Sequence, residues 1–222
     1  MFSFSKVDQF DSHIRNSIPG YELLVEDIIQ LSKSFIEPRT SVLDIGCSTG
    51  TMLWYLANKV NIDADYKGID IVQTQEWKTL QSKFGPITGT LKFVERDARE
   101  LFVADQFSFV MSLFTLQFIP VSDRRKLLRQ IKNYITPDGA FVFSEKVLSV
   151  NPKIQDCLTF MHYDFKSAAF TEKEILDKER ELRDCMRLMT IEQIQESIKL
   201  AGFKTCDTFW QQNNFVGFIA LP

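Results

Sequence analysis

The sequence predicts an α/β fold: a doubly wound, mostly parallel sheet of seven strands. Three observations carry that expectation. Between residues 41 and 146, short apolar runs alternate with stretches of helical spacing. The first run, SVLDI, leads directly into a glycine-bounded turn, GCSTG, and then into the amphipathic TMLWYLANKV. Each of the first three runs carries an aspartate at or near its end, Asp44, Asp70 and Asp97. Strands alternating with helices require right-handed crossovers and hence parallel pairing.

The elements follow in order. ELLVEDIIQLSKSF repeats apolar residues at helical spacing, with Leu24, Ile28 and Leu31 on one side, and EPRT breaks it. SVLDI is a buried strand and TMLWYLANKV the helix after it. DYKGID is the second strand, EWKTLQSKF a helix and GPITG a loop. LKFVERD and FSFVMSLF are the third and fourth strands. SDRRKLLRQIKNYI is a helix with Ser122 as its expected N-cap, ending before a TPDG turn. AFVFSEK is the fifth strand. Residues 151–190 break the alternation and read as an added helical layer, and residues 1–35 as N-terminal lid helices. IEQIQESIKLA is a helix closed by Gly202, and two strands flank QQNN. The whole of 1–222 reads as one domain.

Composition narrows the function classes. Hydrophobic residues make up 45% and charged residues 25%, which suits a folded core. The twenty phenylalanines are expected mainly in that core. With a net charge of −3 and no basic patch, nucleic-acid binding is not expected. Cys47, Cys157, Cys185 and Cys206 form no short-range pattern, and His13 and His162 lie far apart, so no metal site or disulfide framework is expected. No apolar run approaches the roughly 18–20 residues of a membrane span, and the start MFSFSKVDQFDSH has no signal-peptide pattern. A cytoplasmic location is expected.

GCSTG permits two chemistries. It satisfies G-x-S-x-G, the strand–turn–helix setting of a hydrolase serine. A hydrolase also needs a histidine on a late loop. The one downstream histidine, His162, lies in the helical insertion instead. The alternative is a backbone cradle for a small molecule above the carboxyl ends of the strands. Ser48 replaces the middle glycine of a dinucleotide fingerprint, so a pyrophosphate is not the expected guest. Asp70, about twenty residues after the turn, is placed to accept from both hydroxyls of a ribose. Asp97 is placed to meet an adenine amino group, and Asp44 to orient the turn or reach an ammonium through water. Together the three strand ends describe a phosphate-free adenosine ligand, and the expected one is S-adenosylmethionine (SAM). The expected binding residues along these strand ends are Asp44, Gly46, Cys47, Ser48, Gly50, Asp70, Ile71, Asp97, Leu113 and Phe114.

SIPGY (17–21), DIGCSTG (44–50), FTLQFIP (114–120), LRQI with TPDGAFVFSEK (within 128–146), MHYDFK (161–166), AGF (201–203) and the pair Asn214–Phe215 carry a resemblance. Through them the chain resembles the carboxy-S-adenosylmethionine synthases, class I methyltransferase-fold enzymes of tRNA wobble-uridine modification. The resemblance implies a homodimer whose inserted helices meet across the interface. It also implies that Tyr21 folds over SAM, with Gly46, Asp70, Asp97 and Ala98 around the adenosyl group. The family's reaction takes its carboxyl group from prephenate.

Three positions depart from the family pattern. Its carboxylate-binding arginine is Glu179 here, with Arg180 next; one helical step turns a side chain by about 100°. Its strand-four asparagine is Leu113, and the arginine before its SIPGY-like segment is Asn16. An uncompensated carboxylate beside a bound carboxylate costs on the order of several kcal/mol. The leading expectation is therefore methyl transfer to a small molecule, with Tyr21, Tyr163 and Glu179 as candidate catalytic residues. Tyr21, Tyr163 and Trp210 are candidates to steady the sulfonium by cation–π contact. The alternatives are cyclisation of SAM alone to azetidine-2-carboxylate and methylthioadenosine, the family's carboxy-SAM synthesis, and SAM binding without catalysis.

Overall fold

The apolar runs assemble into one sheet whose strand order is β3-β2-β1-β4-β5-β7-β6. The computed structural model describes residues 10–85, 89–100 and 105–222, without the side chains of residues 10 and 11. The beginning of the expected 1–35 lid and the centre of the GPITG loop lie outside these residues.

Chain order is α1 (Phe10–Ser17), α2 (Tyr21–Ser32), β1 (Ser41–Ile45), α3 (Thr51–Val60), β2 (Asp65–Asp70), α4 (Glu76–Ser82) and β3 (Thr90–Glu95). It continues with β4 (Phe107–Leu113), α5 (Val121–Tyr134), β5 (Ile135–Lys146), α6 (Pro152–Ser167) and α7 (Glu172–Arg183). The last elements are α8 (Ile191–Ala201), β6 (Thr205–Gln212) and β7 (Phe215–Leu221). β1 to β5 pair in parallel, while β7 enters antiparallel between β5 and β6.

Alternation along the strands divides the core between the two faces. Leu43, Ile45, Val110, Phe141 and Phe143 pack on Leu127, Ile131, Ile194 and Ile198 of α5 and α8. Val42, Phe109, Met111 and Val142 face Leu24, Ile28, Leu53 and Leu56 of α2 and α3. Several of the phenylalanines form a stacked column on the first face. Phe143 lies 4.8 Å from Phe141 and 5.0 Å from Phe218, and Phe141 lies 5.9 Å from Phe203.

Two local expectations differ from the structure. TPDG is not a free turn before the fifth strand; it is an irregularity within β5. Phe107 pairs with Ile135 and Phe109 with Ala140, so both flanks hold to β4 and the intervening residues bulge. Gly139 permits the close approach, since a Cβ there would lie 2.7 Å from the Ser108 carbonyl oxygen. Ser122 is not an N-cap. α5 opens two residues earlier, with Pro120 at the cap and its carbonyl accepting from the Arg124 amide. The proline's fixed φ presets the entry, and Asp123 supplies negative charge in the first turn.

The added layer is firmly capped. Asn151 accepts from the amides of Lys153 and Ile154 at the start of α6, with Pro152 following. Thr171 with Glu174, and Thr190 with Gln193, form capping boxes on α7 and α8. Among the described residues, no helix is long and apolar enough to cross a membrane.

Replacing Phe143 by Ala removes one of the two inner rings of the column. The expected cost is about 3–5 kcal/mol, measured by urea denaturation. A loss below about 1 kcal/mol would mean that the column is not a supporting part of the core.

Candidate active site

The turn after β1 is built from left-handed backbone. Gly46 and Gly50 each have φ of 80°, and Ser48 between them has φ of 50°. A Cβ on Gly46 would lie 2.1 Å from Thr115 Oγ1, and one on Gly50 would lie 2.5 Å from the Phe93 ring. Glycine is therefore required on both conformational and steric grounds. The turn is also tied to β2. The Ser48 amide donates to Asp70 Oδ2 at 2.9 Å, and the Val72 amide to Asp70 Oδ1 at 3.0 Å. A carboxylate offers about four lone pairs, so Asp70 keeps capacity for ligand hydroxyls.

Two supports escaped the sequence reading. Trp77 of α4 donates its indole N–H to the Ser48 carbonyl at 2.8 Å and stacks on Phe93 of β3 at 5.5 Å. Thr115 packs beneath Gly46. The only signal for Trp77 was a large aromatic at the start of EWKTLQSKF, and nothing local pointed it at the turn.

The remaining expected binding residues lie along the same edge of the sheet. Asp44 is buried at the end of β1, and Cys47 is buried within the turn. Ile71, after β2, is exposed. Asp97, after β3, is gripped through both carboxylate oxygens by the Arg99 guanidinium and also accepts from the Arg99 amide. That contact holds its carboxyl below the usual range. Ala98 is buried beside it. Leu113 ends β4, and Phe114 follows with φ of 54°, an uncommon conformation for so large a residue. The Asp44 carboxyl is pushed up to about 8, first by burial and then by the charge of Asp70. Burial also raises Asp70, against hydrogen bonds from Ser48 and Val72 that lower it.

A second cluster lies two strands along. Phe114 meets Phe215 edge to face at 5.9 Å, and the Lys146 ammonium lies 5.7 Å from the Phe215 ring centre. Lys146, at the end of β5, pairs with Glu179 of α7 at 3.6 Å. His162 of α6 places Nδ1 3.5 Å from Lys146 Nζ and Nε2 2.9 Å from the Ser17 carbonyl oxygen. Burial, and then the Lys146 charge, lower the imidazole pKa to about 4, so it is neutral at pH 7. Neutral imidazole donates from Nε2 to Ser17 and presents a lone pair at Nδ1 to the ammonium. His162 is thus committed to Ser17 and Lys146, and does not serve Ser48 as a hydrolase base.

Of the candidate catalytic residues, Tyr163 of α6 and Glu179 of α7 lie within electrostatic reach of each other, and Tyr21 lies on α2. Tyr21 opens α2 after Gly20, which packs against Trp210 and Gln212. Trp210 itself is buried in core packing. Tyr163 lies next to His162, and its phenol is raised by burial and then by the charge of Glu179. Glu179 is not the uncompensated charge expected from the sequence, because Lys146 pairs with it. Arg180 does not replace the missing guanidinium; it bonds Asp177 at 2.9 Å on the exposed side of α7. Among the described residues no group of His, Cys, Asp and Glu has the arrangement of a metal site.

Comparison with known proteins agrees with this fold. The model of a methyltransferase domain family matches residues 42–139. A carboxy-S-adenosyl-L-methionine synthase of Pseudomonas putida is 32% identical over 100% of this chain and 92% of its own length. One from Staphylococcus epidermidis is 29% identical over 96% of this chain and 92% of its own. The solved magnesium protoporphyrin IX methyltransferase of Synechocystis, with bound SAH, has a TM-score of 0.63 at 14% identity. That match covers 100% of this chain and 88% of the other, and it establishes the shared fold alone.

Asp44 generates a pH prediction. With its pKa raised to about 8 from the ordinary aspartate value of 3.8, the folded chain holds a proton that the unfolded chain has released. Its stabilising contribution is full at low pH and is lost as pH rises through that window. His162 acts in the opposite sense between about pH 4 and its unfolded value near 6.5, so the comparison must be with wild type. Asp44→Asn should lie closest to wild type in Tm near about pH 4 and exceed it by a margin that grows up to about pH 8. A gap independent of pH in thermal melts would refute the assignment.

Proposed function

Because this chain belongs to the carboxy-S-adenosyl-L-methionine synthases, SAM-dependent enzymes of the class I methyltransferase fold, we propose that it transfers a carboxyl group to the sulfonium methyl of SAM. The nucleoside lies across the tops of β1, β2 and β3. The left-handed turn lets the backbone approach it, Asp70 accepts from the ribose hydroxyls, and Asp97 with Ala98 borders the adenine. Leu113 and Phe114 wall the sulfonium, and Tyr21 covers the ligand from α2. The observation that carries the reaction is the Lys146–Glu179 pair. It supplies an ammonium for the carboxyl group of a carboxylated product, beside the one carboxylate that would oppose that group.

In the reaction prephenate loses its ring carboxyl as CO2 and its ring hydroxyl, becoming phenylpyruvate; the sulfonium methyl carbon bonds to the CO2 carbon, and the proton it gives up leaves with the hydroxyl as water. Carbanion character beside a sulfonium is stabilised by the adjacent positive charge. The protein's contribution is to align the two substrates and exclude water. Tyr163, beside Glu179, is placed to handle the proton.

Methyl transfer to a small-molecule acceptor is a second reading. It is favoured by the absence of a guanidinium at position 179 and by the surface bond of Arg180 to Asp177. Residues 1–222 act as one unit, with 151–190 supplying the acceptor side. Four unpaired cysteines, one of them exposed, suit the reducing cytoplasm.

Assembly as a homodimer completes the proposal. Ile154, Cys157, Phe160 and Met161 form an exposed, largely apolar stripe on α6, with Phe160 65% exposed. Such a stripe suits burial against a second copy.

Calorimetry should give a heat with SAM and with S-adenosylhomocysteine, reduced at least about 30-fold in affinity by Asp70→Ala. Mass spectrometry should find carboxy-SAM when SAM and prephenate are supplied together. Methylated product from a cell extract, with no carboxy-SAM, would select the second reading. Methylthioadenosine from SAM alone would replace both. Phe160→Asp should convert dimer to monomer in light scattering; an unchanged mass, or a monomeric wild type, would remove the dimer.

A further inference from the structure

The acceptor-side cluster holds more positive than negative charge. Lys146 and Lys166 are both largely withdrawn from solvent, Lys166 with 4% exposure. Their charges act on the same carboxylate, Glu179. Lys146 makes an ion pair with it at 3.6 Å, longer than a good charge-assisted hydrogen bond of about 2.7–2.9 Å. Lys166 lies 5.6 Å above the Phe170 ring, and among the described residues no acceptor makes a hydrogen bond to its ammonium. His162, the other polar group against Lys146, is neutral and adds no negative charge. Two buried ammonium groups therefore face one loosely held carboxylate.

Burying an ammonium without a matched partner is costly, and proteins retain such groups where a ligand completes them. The position fits that purpose. Lys146 ends β5, next to the strand whose end carries Leu113 and Phe114, and its backbone amide is held at 2.9 Å by the Gln117 side chain. The cluster thus borders the space where a group on the sulfonium would project.

We infer that Lys146 and Lys166 form a subsite for a carboxylate on the sulfonium side of the ligand, and that Glu179 occupies it as an internal stand-in when that carboxylate is absent. The inference rests on the reading of the β1–β3 edge as a SAM site. It assigns recognition to two lysines on β5 and α6, where the related enzymes' pattern would place an arginine on α7. Glu179 acts as a competitor: the ligand carboxylate must displace it from Lys146, and only one negative charge fits well.

The test compares SAM with carboxy-SAM, which differ by one carboxylate, by calorimetry on the full chain. Wild type should prefer carboxy-SAM by about 10-fold or more. Glu179→Gln removes the competitor's charge and should raise that preference by about another 5-fold. Lys146→Met combined with Glu179→Gln removes the ion pair as a unit, leaves Lys166 as the subsite's single cation, and should bring the ratio well below that of wild type. Lys166→Met should lower it. Thermal melts confirm that each variant is folded. A ratio unchanged in the double variant, or lowered by Glu179→Gln, overturns the subsite while SAM binding stands. No heat with SAM in wild type overturns the SAM reading and the subsite together.

Discussion

The site depends on one hydrogen-bonded junction, the Asp70 carboxylate accepting from the Ser48 amide. β1 and β2 are already paired along their length, but the turn beyond β1 must bend back in three left-handed steps. Left-handed backbone at serine is unfavourable by roughly 1–2 kcal/mol. Asp70 offsets that cost from one side, and the indole of Trp77 from the other, by holding the amide and carbonyl of the same residue. The conformation that admits a ligand is therefore maintained before the ligand arrives. Asp44 pays part of the expense, since its buried carboxyl lies in the field of Asp70.

Charge is distributed unevenly along the carboxyl edge of the sheet. The end formed by β1, β2 and β3 carries Asp44, Asp70 and Asp97, while the β5 end carries Lys146 with Lys166 nearby from α6. A ligand cationic at its centre, and anionic at its far substituent, is matched by that polarity. The aromatic contact from Phe114 through Phe215 to His162 joins the two ends through packed rings.

Much of this was legible in the sequence because it is local. The strand, turn and helix around GCSTG follow from spacing, and Gly46 and Gly50 from the conformation such a turn needs. What was not legible joins distant segments. Trp77 meets Ser48 and Glu179 meets Lys146 only once the sheet is wound and α7 is laid against it. Reading Glu179 alone gave a repulsive carboxylate; its partner on β5 changes the sign of the argument. The TPDG bulge and the start of α5 were missed for a related reason. Local turn chemistry was outweighed by β4, which pairs both sides of the bulge, and by Pro120, which sets the helix entry.

The antiparallel entry of β7 between β5 and β6 bears on biosynthesis. On a ribosome, β1 to β5 can pair as they emerge, but the outer edge of β5, with Phe141 and Phe143 beside it, has no neighbour until residues 215–221 are made. Until then the nascent sheet presents unsatisfied amides and carbonyls next to aromatic surface, the combination that invites illegitimate strand pairing. The interval is spent making α6, α7 and α8, so translation speed through those helices sets how long the growing chain remains vulnerable.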